Sequence, residues 1–446
     1  MKTTAASVLT RTRVGGAWAL RQRVFLRPSR RERVDGVSGP LPTAERSLAP
    51  DLARGLALLG IALANAPIHL TGLALGPSGR PVEAGLADRA VDAVVGTFVD
   101  NRAFPVFTAL FAFGLTVIAR RAQTRGAPWP QTRGVLLRRC GWLGVFGLAH
   151  ALLLFEGDIL LTYGMLGLAV VALWLRASDR ALLWWGGAAL LAYAALSALD
   201  GTSAPDAAGG VFGLTPATYL GGLGLRALSA VGLLVSGPLL VVCLLPAAAL
   251  GLLAERRGVL TRPEEHLPLL RRVTVAGLAV SVLGALPLVA ASLQLVAWPG
   301  WGDVLAGALH GLTGLAGAMA FLAGVSWFAA VRRPAGAVPG AVVGALVAVG
   351  RRSLTCYLLQ SVVMAPVLAP WGLGLGDGTG TAVVSAVAVV TYLLTAAVAV
   401  GLERAGRAGP AEVLLRRLTH GPRPGWTAGT GPAGRPVGQD AGMPGA

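Results

Sequence analysis

Three clusters of polar side chains, each inside or at the end of an apolar run, are the residues best able to do chemistry. The first is DLARGLALLGIALAN (51–65). Asp51 and Arg54 lie three apart and share a helical face, and Asn65 follows fourteen residues after Asp51. One reading is an ion pair anchoring the end of a span, with Asn65 as a helix-packing hydrogen bond. The other is that Arg54 faces an anionic ligand in a cavity between helices, because an unpaired charge at that depth is costly. The second cluster is GLAHALLLFEGDILLTYG (147–164). In a tight hairpin His150 and Asp158 can approach each other, and an aspartate that orients a histidine makes it a better general base. Alternatively, His150 bonds a neighbouring helix and Asp158 is an N-cap. Tyr163 lies close by in sequence. The third is VGRRSLTCYLLQ (349–360), whose Arg351, Arg352, Ser353, Thr355, Tyr357 and Gln360 make a polar entrance to an apolar stretch. It reads either as a basic anchor followed by packing hydroxyls, or as paired arginines holding the phosphates of a cytosolic donor.

The other histidines offer less. His69 lies beyond Asn65 beside Pro67, His266 and His420 sit in basic segments, and His310 has no acidic residue nearby in the sequence. Cys140, Cys243 and Cys356 lie far apart without CxxC spacing, and no ligand set for a metal is visible, so the expectation is buried thiols and no metal.

The elements that must position these residues are set by the solvent. Of 446 residues 54% are hydrophobic and 13% charged, and the mean hydropathy is +0.66. A soluble domain carries about 25% charged residues to cover its surface. Lipid must therefore be the solvent for most of this chain. The net charge of +17 is concentrated in the N-terminal extension and in alternate links. That is the pattern of topology and of attraction to anionic headgroups, not of nucleic-acid binding.

Apolar runs at 52–75, 104–119, 135–155, 158–175, 181–199, 228–254, 273–297, 304–331, 353–373 and 381–402 predict an all-α polytopic bundle of about ten spans. The short EGD link makes 135–175 a helical hairpin, and 336–350 is an interfacial helix, a re-entrant piece or the start of a long helix. Links with Arg120, Arg121, Arg125 and Arg133, with Arg176 and Arg180, with Arg256, Arg257, Arg262, Arg271 and Arg272, and with Arg332 and Arg333 are basic. The links between them carry Glu83, Asp88 and Asp92, then Glu156 and Asp158, Asp200 and Asp206, Asp303, and Asp377. That alternation puts both termini in the cytoplasm of a bacterial cell, the protein lying in its cytoplasmic membrane. The predicted organisation is a disordered basic extension (1–48), an N-terminal membrane half (49–199), an external linker (200–227), a C-terminal membrane half (228–420) and a disordered Gly/Pro-rich tail (421–446). No internal repeat is visible.

With these clusters in place, the chain resembles the YeiB-type inner-membrane proteins, a family catalogued as domain of unknown function DUF 418. The resemblance rests on Asp51, Arg54, Gly55, Ala57, Gly60 and Ile61 with Asn65, and on FTALFAFG (107–114). It continues through Gly147, His150, Gly157–Leu160, Tyr163 and Gly164, then Val349–Arg351, Leu354, Thr355 and Tyr357–Gln360. Gly409, Pro410, Glu412, Leu418 and Thr419 close it. More distantly it resembles membrane acyltransferases that acetylate sugars, including the lysosomal heparan glucosaminide N-acetyltransferase. In many of those a histidine stands fourteen residues after the first-span aspartate; here that position is Asn65, so the candidate base moves to His150.

The resemblance implies an acyltransferase. An acyl-CoA such as acetyl-CoA would enter near Arg54 and Arg351, and His150, oriented by Asp158, would deprotonate an envelope glycan or lipid acceptor. Asn65 or Tyr163 would bond the oxyanion, and Asp51, Arg352, Tyr357 and Gln360 would complete the binding surface. A transporter or flippase for a small metabolite or lipid would use the same polar residues as a path. A non-catalytic scaffold would need none of them, and a homo-oligomer is compatible with each of these readings.

Overall fold

The computed structural model describes residues 6–14, 17–25, 48–202, 216–332 and 340–420. The expected tail 421–446, most of the extension 1–48 and the middle of the linker 200–227 lie outside the described residues. Ahead of the helices, β1 (Ala6–Val14) pairs antiparallel with β2 (Ala17–Phe25).

The rest is helical. Helices α1 (Leu48–Asn65), α2 (Leu86–Phe98), α3 (Ala103–Thr124), α4 (Trp129–Leu153) and α5 (Leu160–Ala169) are followed by α6 (Asp179–Ala198) and α7 (Tyr219–Arg256). Then come α8 (Leu267–Ser292), α9 (Gly300–Arg332), α10 (Ala341–Arg351), α11 (Ser353–Leu368), α12 (Thr381–Arg404) and α13 (Pro410–His420). Among the described residues 8 stretches are long and apolar enough to cross a membrane, or 9 if α10 and α11, bent by 89°, make one broken span. This is a multi-pass membrane protein.

The structure departs from the expected ten runs in three places. The run at 158–175 is a short helix, α5 continuing through a π turn at Val170–Trp174. At 1.5 Å per residue its helical part covers about 22 Å, less than the ~30 Å hydrocarbon core. The acidic link around Asp88 and Asp92 is instead α2, which continues into α3 as one stretch of 39 residues. The run at 353–373 ends as helix at Leu368, and 341–351 is a separate helix meeting it at a right angle.

In lipid, helices associate through close backbone packing, and small residues at the crossings permit it. A Cβ at Gly55 would overlap the carbonyl of Leu346, and one at Gly350 the carbonyl of Asp51, so α1 and α10 touch backbone to backbone. A Cβ at Gly147 would overlap the backbone of Leu160 and Leu161, and Gly164 faces Gly144. These contacts clamp α4 against α5 and hold the ends of the intervening turn in register.

Candidate functional site

That clamp brings the second cluster together. His150 ends α4 on its buried face and Asp158 precedes α5; their side chains are 1% and 0% exposed. His150 Nδ1 lies 2.7 Å from Asp158 Oδ1, while Asp158 Oδ2 accepts from the Leu161 amide at 2.7 Å. The aspartate is thus both helix cap and histidine partner, one oxygen for each. An ionised carboxylate only accepts, so with a neutral imidazole this contact puts the proton on Nδ1 and leaves the lone pair on Nε2. Nε2 is buried and has no hydrogen-bond partner among the described residues.

Tyr357 of α11 packs its ring 5.2 Å from that of His150, and its hydroxyl lies 3.5 Å from Asp158 Oδ1 and accepts from the Ile159 amide at 3.4 Å. The bend between α10 and α11 lets it reach there. Glu412 of α13 holds the bend: Oε1 accepts from the amides of Leu354 and Thr355 at 2.9 and 3.1 Å, and Oε2 accepts from the Thr355 hydroxyl. These are amides that the start of a helix leaves unpaired.

A cavity of about 440 Å³ lies on the other side of Tyr357. At its deep end are Ile159, Leu160, Tyr163 and Tyr357; at the end bearing the basic links are Asp51, Arg54, Arg121, Arg351 and Glu412. Between them the walls are mainly apolar, with Ile61, Phe107, Phe111, Leu115, Ile118 and Leu143, and Arg139 is the exception.

The first and third clusters meet at the cavity's basic end. Asp51 is shared: Arg54 reaches its Oδ1 at 3.3 Å and Arg351 its Oδ2 at 3.5 Å. Arg54 also donates to the Leu110 carbonyl at 3.2 Å, and Arg351 pairs with Glu403 at 2.6 Å. Arg352, expected to face phosphates, spends its guanidinium on Glu403 at 2.6 Å and on the carbonyls of Arg407 and Ala348. Being only 5% exposed, it ties α11 to α12 and the turn after it. Tyr163 lines the cavity, but its hydroxyl donates to the Phe104 carbonyl at 3.2 Å. Gln360 contacts the Leu58 carbonyl at 3.5 Å. Asn65 lines neither this cavity nor the smaller one near His69.

Two features were not evident from the sequence. Arg139, inside the run 135–155, lines the cavity and among the described residues has no hydrogen-bond or ion-pair partner. Its spacing from His150 was the available signal. The second feature is a buried network at the opposite end of the bundle. Arg102 donates to Gly96 and Asp100 carbonyls and to both the hydroxyl and carbonyl oxygens of Ser281. It also contacts His310, whose Nδ1 lies 3.2 Å from Asn101, itself bonded to Asp200. Beside it Arg80 reaches Asp92 at 3.2 Å and Asp100 at 2.5 Å. Burial alone would lower the Arg80 pKa, but Asp100 and Asp92 outweigh it and hold the group above the ordinary arginine value. No group of three or more His, Cys, Asp or Glu among the described residues could hold a metal ion.

Residues 254–422 match the model of a family described as "Protein of unknown function (DUF418)". That match holds α8–α13, with Arg351, Tyr357 and Glu412, but not the segment carrying His150 and Asp158. The chain is similar to the uncharacterised protein YxaH of Bacillus subtilis (strain 168), 32% identical over 151 residues, 33% of this chain and 37% of that protein. It is also similar to the uncharacterised protein YeiB of Escherichia coli (strain K12), 36% identical over 124 residues, 28% of this chain and 30% of that protein. The matches thus span about a third of each relative's length.

Proposed function

The chain belongs to the YeiB-like DUF418 family, and we propose that it is a membrane-embedded acyltransferase whose general base is His150. The observation that carries this reading is the buried His150–Asp158 pair with Nε2 unpartnered. A buried polar atom without a partner is costly, and an oriented imidazole with an open lone pair is built to accept a proton. The cavity supports the same reading, because it runs from the basic end to Tyr357 and Ile159, which touch the pair.

In this reading an acyl-CoA enters from the basic, cytoplasmic side of a bacterial plasma membrane, past Arg54 and Arg351. The acceptor, an envelope glycan or lipid, presents a hydroxyl or amine to the thioester carbonyl. Its oxygen or nitrogen forms a bond to the carbonyl carbon as His150 Nε2 takes its proton. The carbon–sulfur bond then breaks, and the departing thiolate takes that proton back from His150. Asp158 holds the imidazolium in place between the two transfers. Tyr357 takes the position nearest the reacting carbonyl.

The test is transfer of label from radiolabelled acetyl-CoA to an envelope extract by the detergent-purified protein. Transfer by wild type and none by His150→Ala of equal thermal stability is the expected outcome. No turnover of the donor by wild type, with extract present, would sink the reading. A second reading, transport, draws on the 89° break between α10 and α11 beside the cavity, since discontinuous helices line the binding sites of many transporters. Counterflow of a labelled solute into proteoliposomes without acyl transfer would favour it.

A further inference from the structure

Arg139 stands partway along α4, half-buried at the cavity wall, and among the described residues it has no hydrogen-bond or ion-pair partner. The charged groups acting on it are Arg54, of like sign, and Glu412, whose oxygens are engaged in capping α11. The cavity lining carries four arginines, Arg54, Arg121, Arg139 and Arg351, against two carboxylates, Asp51 and Glu412. Asp51 is already divided between Arg54 and Arg351. An ionised side chain at this depth without a counterion is expensive, and such positions mark ligand sites.

Helix geometry fixes where Arg139 stands relative to the candidate base. Both residues are on α4, an uninterrupted helix from Trp129 to Leu153. Eleven residues are three turns plus about 20°, so the two share a face and lie about 16 Å apart along the axis. Leu143 lies between them on that face and lines the same cavity. Side chains of both residues lean toward the N-terminus of the helix, so the separation of their polar atoms follows that of their backbones. An extended chain spans about 1.2 Å per bond, so a ligand touching both needs about thirteen atoms between its anionic group and its reacting carbonyl. A phosphopantetheine thioester has about that many between phosphorus and acyl carbon, the count following from its covalent structure.

We infer that Arg139 anchors the phosphate of a phosphopantetheine thioester, the arm running along α4 so that the acyl carbonyl comes to Tyr357, whose ring lies against His150. The inference rests on the acyl-transfer reading and names a residue and a length requirement for its donor. The guanidinium fork suits a phosphate better than an ammonium would. The arm could come from coenzyme A or from an acylated carrier protein, since the phosphate–pantetheine portion is common to both.

Equilibrium binding to the detergent-purified full chain separates these points with three probes: S-acetylpantetheine, S-acetyl-4′-phosphopantetheine and acetyl-CoA. In wild type the phosphate should tighten binding about ten- to hundred-fold over S-acetylpantetheine, the range of one charge-assisted hydrogen bond. In Arg139→Gln that gain should vanish while S-acetylpantetheine binds as before, which also shows an intact cavity. Arg139→Lys should recover part of it. His150→Ala should keep the whole gain, so that loss of turnover with binding intact bears on the base alone. Equal affinity for the second and third probes would make a carrier-protein donor sufficient; tighter acetyl-CoA binding would identify the free coenzyme. A phosphate gain that persists in Arg139→Gln, or that is absent from wild type, overturns the inference. In the first case acyl transfer by His150 still stands.

Discussion

Two histidines are buried alike, each 2% exposed, yet they meet opposite surroundings. His310 has both ring nitrogens occupied: Nδ1 lies 3.2 Å from Asn101, and Nε2 lies 2.5 Å from Arg102 and 2.9 Å from the Gly96 carbonyl. Those contacts reach α2, the α2–α3 junction and, through Asn101, Asp200 after α6. Such a ring joins helices. His150 has one nitrogen held by Asp158, and the other has no hydrogen-bond partner among the described residues. Burial is therefore a poor guide to role; the difference lies in what the second nitrogen meets, and in the cavity on the far side of Tyr357.

The sharpest way to break this contrast is to remove each ring in turn. His150→Ala should lower acyl transfer about 10²- to 10⁴-fold, the usual contribution of a positioned base, with a melting temperature near that of wild type. His310→Ala should leave the turnover of the surviving folded protein nearly intact, while lowering thermal stability by removing the ring's contacts with Arg102, Asn101 and the Gly96 carbonyl. If His310→Ala were equally inactive at unchanged stability, the two sites would have to be regarded as one catalytic unit.

The next effect belongs to the opposite end alone. Arg80 and Asp92 have side chains 3% and 2% exposed, and Arg80 is the buried counterion of Asp92. Arg80→Ala would leave Asp92 charged and unpaired, costing about 3–5 kcal/mol, read as a large fall in the detergent melting temperature. Asp92→Asn should cost less, because Asp100 remains to hold Arg80. A neutral Arg80→Ala would mean that this network is solvated and does not brace the bundle.

These two regions were unequally legible in the sequence, for a physical reason. The His150–Asp158 pair is separated by eight residues and closed by a tight turn, so hairpin geometry alone suggested the contact. Arg102 and His310 are 208 residues apart and their meeting depends on how α2, α3 and α9 pack, which local patterning does not encode. The same logic separates Arg351 from Arg352: adjacent in sequence, both reach Glu403, but at the bend after α10 only Arg351 extends to Asp51 and only Arg352 to the Arg407 carbonyl. Hydropathy anticipated most of the apolar helices. It misplaced the acidic residues of α2, since Asp92 is neutralised by an arginine from a loop that no periodicity marks. Arg139 lies inside the apolar run 135–155, whose neighbours mask it in hydropathy, although the eleven-residue spacing places it on the face of His150.

A smaller effect tests whether close helix packing makes the His150 site. Gly147→Ala adds a methyl that would overlap the backbone of Leu160 and Leu161, so α4 and α5 must separate. Overpacking of this kind costs about 1–3 kcal/mol, and here it should also lower turnover by displacing Asp158 from His150. Gly141→Ala on the same helix meets nothing within 4 Å and should be neutral or slightly stabilising. Two variants behaving alike would show that the hairpin tolerates separation and that its geometry does not set the pair.

The smallest change refines the boundary between the pair and the cavity. Tyr357→Phe keeps the ring against His150 and removes a hydroxyl whose contacts, 3.5 Å to Asp158 and 3.4 Å from the Ile159 amide, are both long. Hydrogen bonds at those distances are weak, so stability should fall by no more than about 1 kcal/mol. If the hydroxyl only steadies Asp158, turnover should fall about three- to tenfold with the donor's affinity unchanged. If it donates instead to the developing oxyanion, the rate should fall about 10²-fold or more, the scale of a lost oxyanion donor. In that case Tyr357 would belong to the reacting centre, and the cavity and the histidine pair would be two parts of one site.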